Sequence, residues 1–493
     1  DICRDSDLCM GKKCQLREEC LHRKAIAKAR QSQIIIVNQH LFFAGIPLNK
    51  FDAVIFDEAH NLEEVASHFL GFALTNNKIK RLLDDIFNQK TGRGVAMRLE
   101  GQSDIWRSSI KRAIAESHLA MRRFFHDISA KFDLDKLKAK TKRVKDPNFV
   151  EDSLSPKLQE VQSLLSSAVM RSKNEEEEKE IKAYMNRCID FIEQLKVFLK
   201  CDNKNYAYWV EIARLKRGPL ISLNRVPLDI SGKLRKELFG REYSVVLTSA
   251  TLAVDGSFDM AKSRLGLDAP REVLAGSPFD YKKQAILHIA HDMPNPEDDG
   301  EYIKASLKYL PKIVSAIDGG VFVLYTNWKF LYKSFDILKN TLKNRDIFKQ
   351  GDTTPQQIIK EFKKSGNGVL LATDTFWQGI DVPGKALSGI IITRLPFLSP
   401  GTPLEEAKHE WMASRGMNVF NEYVLPKAVI KFRQGFGRLI RNKTDSGAVI
   451  ILDPRIQTKR YGSKFLHSIP KCKTARNLNE IKDFFKVKGD SSN

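Results

Sequence analysis

The sequence predicts an α/β protein with parallel β-sheets, interrupted by one long helical insertion. Short, continuous apolar runs recur along the chain, and polar loops and helical stretches follow most of them. Runs of this kind are typical of strands that are buried on both faces of a parallel sheet. They lie at residues 34–37, 53–56, 245–247, 320–324, 368–372, 387–392 and 448–452.

The insertion is predicted where the apolar runs stop, between about residues 72 and 225. This segment consists of long charged stretches, such as residues 179–196, whose apolar residues recur at helical spacing. It contains a basic run at residues 136–145 and an acidic run at residues 175–178. We interpret each run as a solvated surface, with contact to a nucleic-acid backbone as the alternative for the basic run.

The composition favours a multidomain protein that binds nucleic acid. The chain of 493 residues is longer than one hydrophobic core usually serves, and 42% of it is apolar. Lysine and arginine number 81 against 60 acidic residues, and the net charge of +21 favours contact with phosphates. The alternative is a basic surface that serves only solubility. No apolar run approaches the roughly 20 residues that span a bilayer, so we expect a cytoplasmic protein without a membrane partner.

Four of the seven cysteines lie in the first twenty residues, and this clustering predicts a metal site. Cys9, Cys14 and Cys20 lack the close Cys-x-x-Cys pairs that zinc usually takes. Their wider spacing and all-sulfur ligation favour a 4Fe-4S cluster. Cys3 is one candidate for the fourth ligand, and a residue upstream of this sequence is the other. A structural role without metal stays open.

Two adjacent carboxylates, Asp57 and Glu58, follow the apolar run at residues 53–56 in an Asp-Glu-Ala-His motif that ends at His60. Ligands of open parallel sheets bind at the carboxyl ends of the strands. There Asp57 would hold Mg²⁺ through its water shell, and Glu58 would accept a proton from the water that attacks a γ-phosphate. We count His60 with them as a candidate catalytic residue. The alternative is that the carboxylates only cap the next helix.

A second candidate catalytic element, residues 434–441, holds Gln434, Gly437, Arg438 and Arg441. Two arginines three residues apart share one face of a helix. Directed at a nucleotide from a second domain, they would neutralise the charge on the transferring phosphoryl group, with Gln434 near the γ-phosphate or its water. The alternative is a basic helix on a nucleic-acid backbone. The presence of both motifs, in this order, disfavours that alternative.

One segment, residues 379–385, matches the spacing of a phosphate loop, and we reject it. Ala386 stands where a Ser or Thr hydroxyl has to reach Mg²⁺. The sequence starts at Asp1, inside the cysteine cluster, so we expect a longer product whose upstream segment carries the phosphate loop. By itself, this chain should bind ATP poorly and not turn it over.

Together these motifs resemble the DinG branch of the XPD-like superfamily 2 DNA helicases. The resemblance includes Cys9, Cys14, Cys20 and the Asp-Glu-Ala-His motif. It continues, in the family's order, through residues 34–41, 206–211, 249–252, 276–279, 374–384, 395–397, 423–428 and 434–441. Two positions depart mildly from the family's pattern, since Gln378 replaces the usual Glu and Arg394 the usual Lys.

The resemblance implies two RecA-like parallel-sheet lobes, an iron-sulfur domain remnant and a helical Arch insertion. It also implies ATP with Mg²⁺ as the cofactor, and it places Gly379, Asp381 and Gly437 at the nucleotide. The corresponding domains are the iron-sulfur domain at 1–30, the first lobe at 31–71 and 226–275, the Arch at 72–225, the second lobe at 276–485 and a tail at 486–493.

The expected function is that of an ATP-dependent DNA helicase acting in repair or replication. The family resemblance implies movement from 5′ to 3′ on single-stranded DNA. We expect single-stranded or forked DNA as the partner and a monomeric protein. Two alternatives stay open. One is a non-catalytic protein that binds single strands in the same basic groove, and the other is an RNA helicase with the same core, against which the cysteine cluster argues.

Overall fold

The computed structural model describes most of the chain and confirms the α/β class. It describes Cys9, Cys14 and residues 16–45, 51–133, 139–216, 218–373, 376–377, 386–397 and 401–490. Within these ranges, three β-sheets organise the protein, and two of them are parallel throughout.

Strands and helices are numbered here in chain order. The strands are β1 (Ala53–Phe56), β2 (Phe72–Thr75), β3 (Ala139–Arg143), β4 (Tyr206–Leu215), β5 (Gly218–Pro227), β6 (Ser244–Leu247), β7 (Ala285–Ile289), β8 (Val321–Leu324), β9 (Ile347–Lys349), β10 (Val369–Ala372), β11 (Gly389–Ile392), β12 (Gly447–Ile451) and β13 (Lys473–Ala475).

The helices that precede β7 are α1 (Leu21–Gln31), α2 (Gln39–Phe43), α3 (Leu62–Leu70), α4 (Asn76–Ile86), α5 (Val95–Arg98), α6 (Asp104–Lys131), α7 (Ser155–Val169), α8 (Glu175–Lys200), α9 (Ser231–Leu234), α10 (Asp259–Leu265) and α11 (Tyr281–Gln284). Those that follow are α12 (Asp299–Ala316), α13 (Trp328–Thr341), α14 (Pro355–Ser365), α15 (Pro403–Ala413), α16 (Leu425–Phe436), α17 (Arg455–Thr458), α18 (Gly462–Ser468) and α19 (Leu478–Asp490).

The first lobe, residues 51–71 and 228–275, is built on β1 and β6, which pair in parallel. Residues Phe56 and Leu62 form a small core with side chains from α9 and α10. The run at 34–37 was predicted to be a strand, and this prediction is wrong. Ile34 and Ile36 are exposed, and no strand pairs with the run among the described residues. Without such a partner, its backbone N–H and C=O groups cannot enter a ladder.

The insertion, residues 72–227, contains the expected helices and also a four-stranded antiparallel sheet in the order β2-β5-β4-β3. The sequence pattern did not predict this sheet. Helices of the insertion cover one face of β4 at Tyr208 and Val210, and α15 covers the other at Trp209. A strand buried on both faces loses the alternation of apolar and polar residues that identifies a strand.

The two charged runs of the insertion differ in role. The acidic run forms the first turn of α8, where negative charge stabilises the positive end of the helix dipole. The basic run includes β3, and its Arg143 and Lys145 form ion pairs with Glu410 of α15 at 2.8 and 2.7 Å. The interpretation as a solvated surface therefore fits the acidic run, whereas the basic run joins the insertion to a helix beyond it.

The second lobe, residues 276–490, has seven parallel strands in the order β13-β7-β12-β11-β8-β10-β9. Helices cover both faces, with α16 and α14 on one side and α12, α13 and α19 on the other. The apolar runs at 320–324, 368–372, 387–392 and 448–452 are confirmed as its central strands. Helix α19 includes residues 486–490, which we expected from the sequence to belong to a tail. Among the described helices, none combines the length and the apolar character needed to cross a membrane.

Candidate active site

The Asp-Glu-Ala-His motif forms a tight loop at the carboxyl end of β1. The side-chain amide of Gln39 donates to the main-chain oxygen of Asp57 at 2.8 Å, and the N–H of Ala59 donates to the carbonyl of Thr248 at 3.0 Å. Glu58 has a φ of 50°, in the left-handed region that is uncommon for a residue with a side chain. Such a conformation persists only where its surroundings fix it, and here it turns the chain sharply away from the strand.

Both carboxylates of this loop are exposed at the edge of the sheet. The side chain of Glu58 is 60% exposed, and Asp57 Oδ1 accepts the backbone N–H of Glu58 at 2.9 Å. This edge is where ligands of open α/β sheets bind. Carboxylate oxygens suit Mg²⁺, and a carboxylate can also take a proton from water. The carboxylates of this loop therefore fit the Mg²⁺ side of a bound Mg²⁺-nucleotide.

His60 lies behind the two carboxylates, and its side chain is only 7% exposed. Its Nδ1 lies 2.9 Å from Ser249 Oγ, 3.3 Å from Glu58 Oε2 and 3.4 Å from Thr251 Oγ1. The pairing of β1 with β6 brings these residues together, because both motifs follow the carboxyl ends of the paired strands.

Gln434 of the second lobe completes this network. Its Nε2 lies 2.7 Å from His60 Nε2 and 3.2 Å from Thr251 Oγ1. An amide nitrogen only donates, so His60 Nε2 accepts and the ring carries its proton on Nδ1. Two acceptors are then within reach of that proton, Ser249 Oγ at 2.9 Å and Glu58 Oε2 at 3.3 Å. A neutral imidazole therefore connects the two lobes.

The surroundings favour this neutral form of His60. Burial lowers its pKa below the usual 6.5, and the carboxylates of Glu58 and Asp57 only partly offset that effect. A protonated ring would carry hydrogens on both nitrogens and could not accept a hydrogen bond from Gln434. With the amide of Gln434 in this orientation, the contact between the lobes therefore requires the neutral ring.

Close packing of α16 holds Gln434 in place. The next residue is Gly435, and a Cβ there would lie 2.8 Å from the ring of Trp377. Trp377 is completely buried, as expected if it belongs to the core. On the other side of Gln434, Arg433 Nη1 lies 3.5 Å from the carbonyl oxygen of Ala253 in the first lobe.

Arg438 and Arg441 do not share a helix face, so that part of the prediction is wrong. Helix α16 ends just before Gly437, which caps it. The buried Arg438 donates from Nε to the carbonyl oxygen of Trp377 at 2.9 Å. The carboxylate of Asp445 accepts the backbone N–H of Arg441 at 2.8 Å. That N–H therefore makes no helical bond to the carbonyl four residues earlier, and the chain at Arg441 no longer continues α16.

The chain is similar to known helicases along nearly its whole length. Residues 310–472 match the family described as Helicase C-terminal domain. Over 482 residues the chain is 30% identical to the ATP-dependent DNA helicase YoaA of Escherichia coli (strain K12), covering 96% of this chain and 72% of that protein. The chain belongs to the DinG/XPD-like helicase family.

Two further proteins are similar to this chain. The 3'-5' exonuclease DinG of Bacillus subtilis (strain 168) is 38% identical over 283 residues, which cover 56% of this chain and 30% of that protein. The solved structure of S. tokodaii Xpd4 matches with a TM-score of 0.53 at 15% identity, covering 87% of this chain and 78% of that one. This last likeness concerns the fold alone. The predicted family and RecA-like fold class are confirmed.

The cluster cysteines of this DinG/XPD-like helicase are not gathered into a metal site in the described part of the chain. Cys9, Cys14 and Cys20 are each half-buried, and Cys20 precedes α1. Among the described residues, no three His, Cys, Asp or Glu side chains are placed to share a metal. Cys3 lies outside the described residues. We derive no step through a cluster.

The remaining site predictions for this helicase fall in different places. Gly379 and Asp381 lie outside the described residues, whereas Gly437 caps α16. Arg394, which departs from the family's pattern, forms an ion pair with Asp299 at 2.7 Å. Its guanidinium also lies 4.8 Å from the ring centre of Tyr302. Arg394 therefore has a structural role within the second lobe.

The sequence pattern did not reveal a buried charge cluster beside the site. Glu63 forms ion pairs with Lys408 of α15 and, at 3.4 Å, with Arg264 of α10. Although burial raises the pKa of Glu63, the Lys408 and Arg264 cations outweigh it and lower that pKa to about 2. The Arg264 guanidinium stacks 4.5 Å from the ring centre of Tyr423. In sequence Glu63 and Glu64 look alike, and only the fold buries one of them.

An exposed aromatic pair in the second lobe was also missed. Trp328 and Tyr332 begin α13 directly after the carboxyl end of β8, and their rings stack with centres 5.8 Å apart at 29°. They are 41% and 49% exposed. Large aromatic side chains left in water beside the ligand edge of a sheet indicate a binding surface.

Proposed function

We propose that this chain is the DNA-translocating part of an ATP-dependent DNA helicase, with the nucleotide held between its two lobes. The contact from Gln434 to His60 carries the proposal, because it ties the second lobe to the loop that bears the candidate catalytic carboxylates. The activity of the DinG/XPD-like family and the net charge of +21 support DNA as the partner.

The chain's residues would divide the work of hydrolysis. ATP with Mg²⁺ would supply the phosphoanhydride bond whose cleavage drives movement. Asp57 would hold the ion through its water shell, and Glu58 would take the proton of the attacking water. From the second lobe, Arg441 would neutralise charge at the phosphates, and Arg438 would join it once its guanidinium leaves the carbonyl oxygen of Trp377 and turns to the cleft. Gly379, Asp381 and Gly437 would line the same side of the cleft.

His60 would report the state of the cleft to the second lobe. Its Nδ1 contacts Glu58 and its Nε2 contacts Gln434. A displacement of the Glu58 carboxylate would therefore shift the ring and change its hydrogen bond with Gln434. Thr251 contacts both the His60 ring and Gln434, and so fixes the position of the ring. Closing and opening of the two lobes would therefore follow the nucleotide, as gating steps do in many enzymes.

The strand would be bound partly by stacking. Trp328 and Tyr332 offer exposed rings on which successive bases can stack whatever their sequence. We propose that the protein moves from 5′ to 3′ on single-stranded or forked DNA and works as a monomer.

Glu58 provides the decisive test, made on a form of this chain that is extended upstream to include a phosphate loop and is called the longer protein below. Glu58→Gln should abolish DNA-stimulated ATP hydrolysis and strand separation while leaving single-strand binding intact. Glu64→Gln, an exposed neighbour on α3, is the matched control and should retain activity. DNA binding without any ATP hydrolysis by the unaltered protein would favour a non-catalytic binding protein. A clear preference for RNA strands would favour an RNA helicase.

We also propose that residues 1–30 belong to an iron-sulfur domain and that residues 72–225 form the Arch. Three thiols at wide spacing, Cys9, Cys14 and Cys20, support a 4Fe-4S cluster over zinc. Iron and acid-labile sulfide should be measured in anaerobically purified protein, on this chain and on the longer one. Iron in both points to Cys3 as the fourth ligand, and iron only in the longer protein places that ligand upstream. Zinc alone would contradict the cluster.

A further inference from the structure

A groove lies between α12 and α13 of the second lobe, and none of the residues proposed to contact ATP or DNA lines it. It has a volume of about 600 Å³. Its floor is apolar, with Ile303 buried, Leu307 and Pro311 half-buried and Ile337 exposed at 37%. Contiguous apolar surface that stays in contact with water usually marks an interaction site.

Four lysines line this apolar floor. Lys304, Lys308 and Lys312 recur every fourth residue along one face of α12, and Lys333 stands opposite on α13. At a rise of about 1.5 Å per residue, the three lysines of α12 span roughly 12 Å. All four side chains are exposed.

These lysines have no acidic partner among the residues that the structure describes. Asp299, at the start of α12, is already paired with Arg394 at 2.7 Å and with Lys329 at 3.8 Å. Four like charges so close together repel one another, and a polyanion placed in the groove relieves that repulsion.

We infer that the groove is a docking site for an acidic segment of a partner protein that carries apolar side chains between its carboxylates. The lysines match the carboxylates in charge, and the apolar floor accepts the apolar side chains. A nucleic-acid strand fits less well, because the described lining offers no aromatic ring for base stacking. The inference is independent of the proposed helicase activity.

The test is fluorescence anisotropy with this chain and a short labelled peptide that alternates Asp or Glu with Leu or Phe. Saturable binding is expected, and it should weaken with added salt. A second peptide, with Ser in place of every Leu and Phe, should bind much less. Equal binding of the two peptides would overturn the role of the apolar floor, and no saturable binding of the first would overturn the site.

Charge reversal locates the binding. Lys308→Glu/Lys312→Glu should lower the affinity for the acidic peptide by about tenfold or more, since two attractions become repulsions. The matched control is Lys360→Glu/Lys364→Glu, which reverses two exposed lysines at the same spacing on α14 and should leave affinity unchanged. Equal effects of the two variants would overturn the assignment to the groove.

The apolar floor and the nucleic-acid alternative are tested separately. Ile337→Ser keeps every charge and should lower the affinity for the acidic peptide without affecting binding of an oligothymidylate. Circular dichroism checks that each variant stays folded. If Lys308→Glu/Lys312→Glu weakens the oligothymidylate and leaves the peptide unaffected, the groove is a nucleic-acid contact and the inference is wrong.

Discussion

Gln434 of the second lobe lies 2.7 Å from His60 of the first lobe, with its amide nitrogen facing the Nε2 of the ring. The two residues are separated by 374 positions in the sequence. Because His60 also lies 3.3 Å from Glu58, a single side chain connects the candidate general base to the second lobe.

Removal of the Gln434 amide should uncouple the lobes. In Gln434→Ala, the His60 ring and the Thr251 hydroxyl lose a shared donor, at a cost of about 1 to 3 kcal/mol where they are buried. DNA-stimulated ATP hydrolysis by the longer protein should fall by about tenfold or more and the melting temperature by a few degrees, while single-strand affinity changes little. An unchanged rate would contradict the coupling role of this contact.

Acid pH should weaken the same contact. The folded protein holds the pKa of His60 below its usual 6.5, so the stabilisation by the neutral ring is complete above pH 6.5 and is lost as the pH falls further. ATP hydrolysis should therefore decline on the acid side, and the decline should be shallower in Gln434→Ala. Identical acid limbs in the two pH profiles would show that another group is responsible.

Glu63→Gln should destabilise the junction between the lobes. The substitution leaves Lys408 and Arg264 buried without their carboxylate, and breaking such a pair costs about 3 to 5 kcal/mol. The melting temperature should fall by several degrees, whereas the exposed Glu64→Gln should leave it unchanged. A melting temperature equal to that of the unaltered protein would show that the cluster adds no net stability.

The stability supplied by Glu63 should also depend on pH. Its pKa in the folded protein, about 2, lies below the usual 4.5. The contribution is therefore complete above pH 4.5 and is lost as the pH falls from 4.5 towards 2. Urea unfolding at pH 7 and at pH 4 should show a smaller difference for Glu63→Gln than for the unaltered protein.

The exposed aromatic pair should bind single strands. Trp328→Ala/Tyr332→Ala should lower affinity for an oligothymidylate, since base stacking contributes about 1 to 3 kcal/mol per base. Trp328→Phe keeps a ring and should retain most of the affinity. Fluorescence anisotropy measures both, and quenching of Trp328 emission by the strand gives a second readout. Unchanged affinity in the double alanine variant would exclude these rings from the strand's path.

Local pattern allowed several features to be predicted from the sequence. Central strands of a parallel sheet are buried on both faces, so the runs at 320–324 and 448–452 could be recognised without knowing their neighbours. The same reasoning failed at 34–37, because a strand also needs a partner. It missed β4, whose two covered faces make its pattern resemble that of a buried helix.

By itself, the sequence determined the fold class, the family and the identity of the candidate catalytic residues, because these depend on periodicity and on motifs within short segments. The tertiary structure alone decided that Gln434 meets His60, that the side chain of Glu63 is only 17% exposed while Glu64 is exposed, and that Arg438 turns into the core. Each of these depends on burial and on contacts between distant segments. No local pattern carries that information, since the same side chain is solvated or desolvated according to what the fold packs against it.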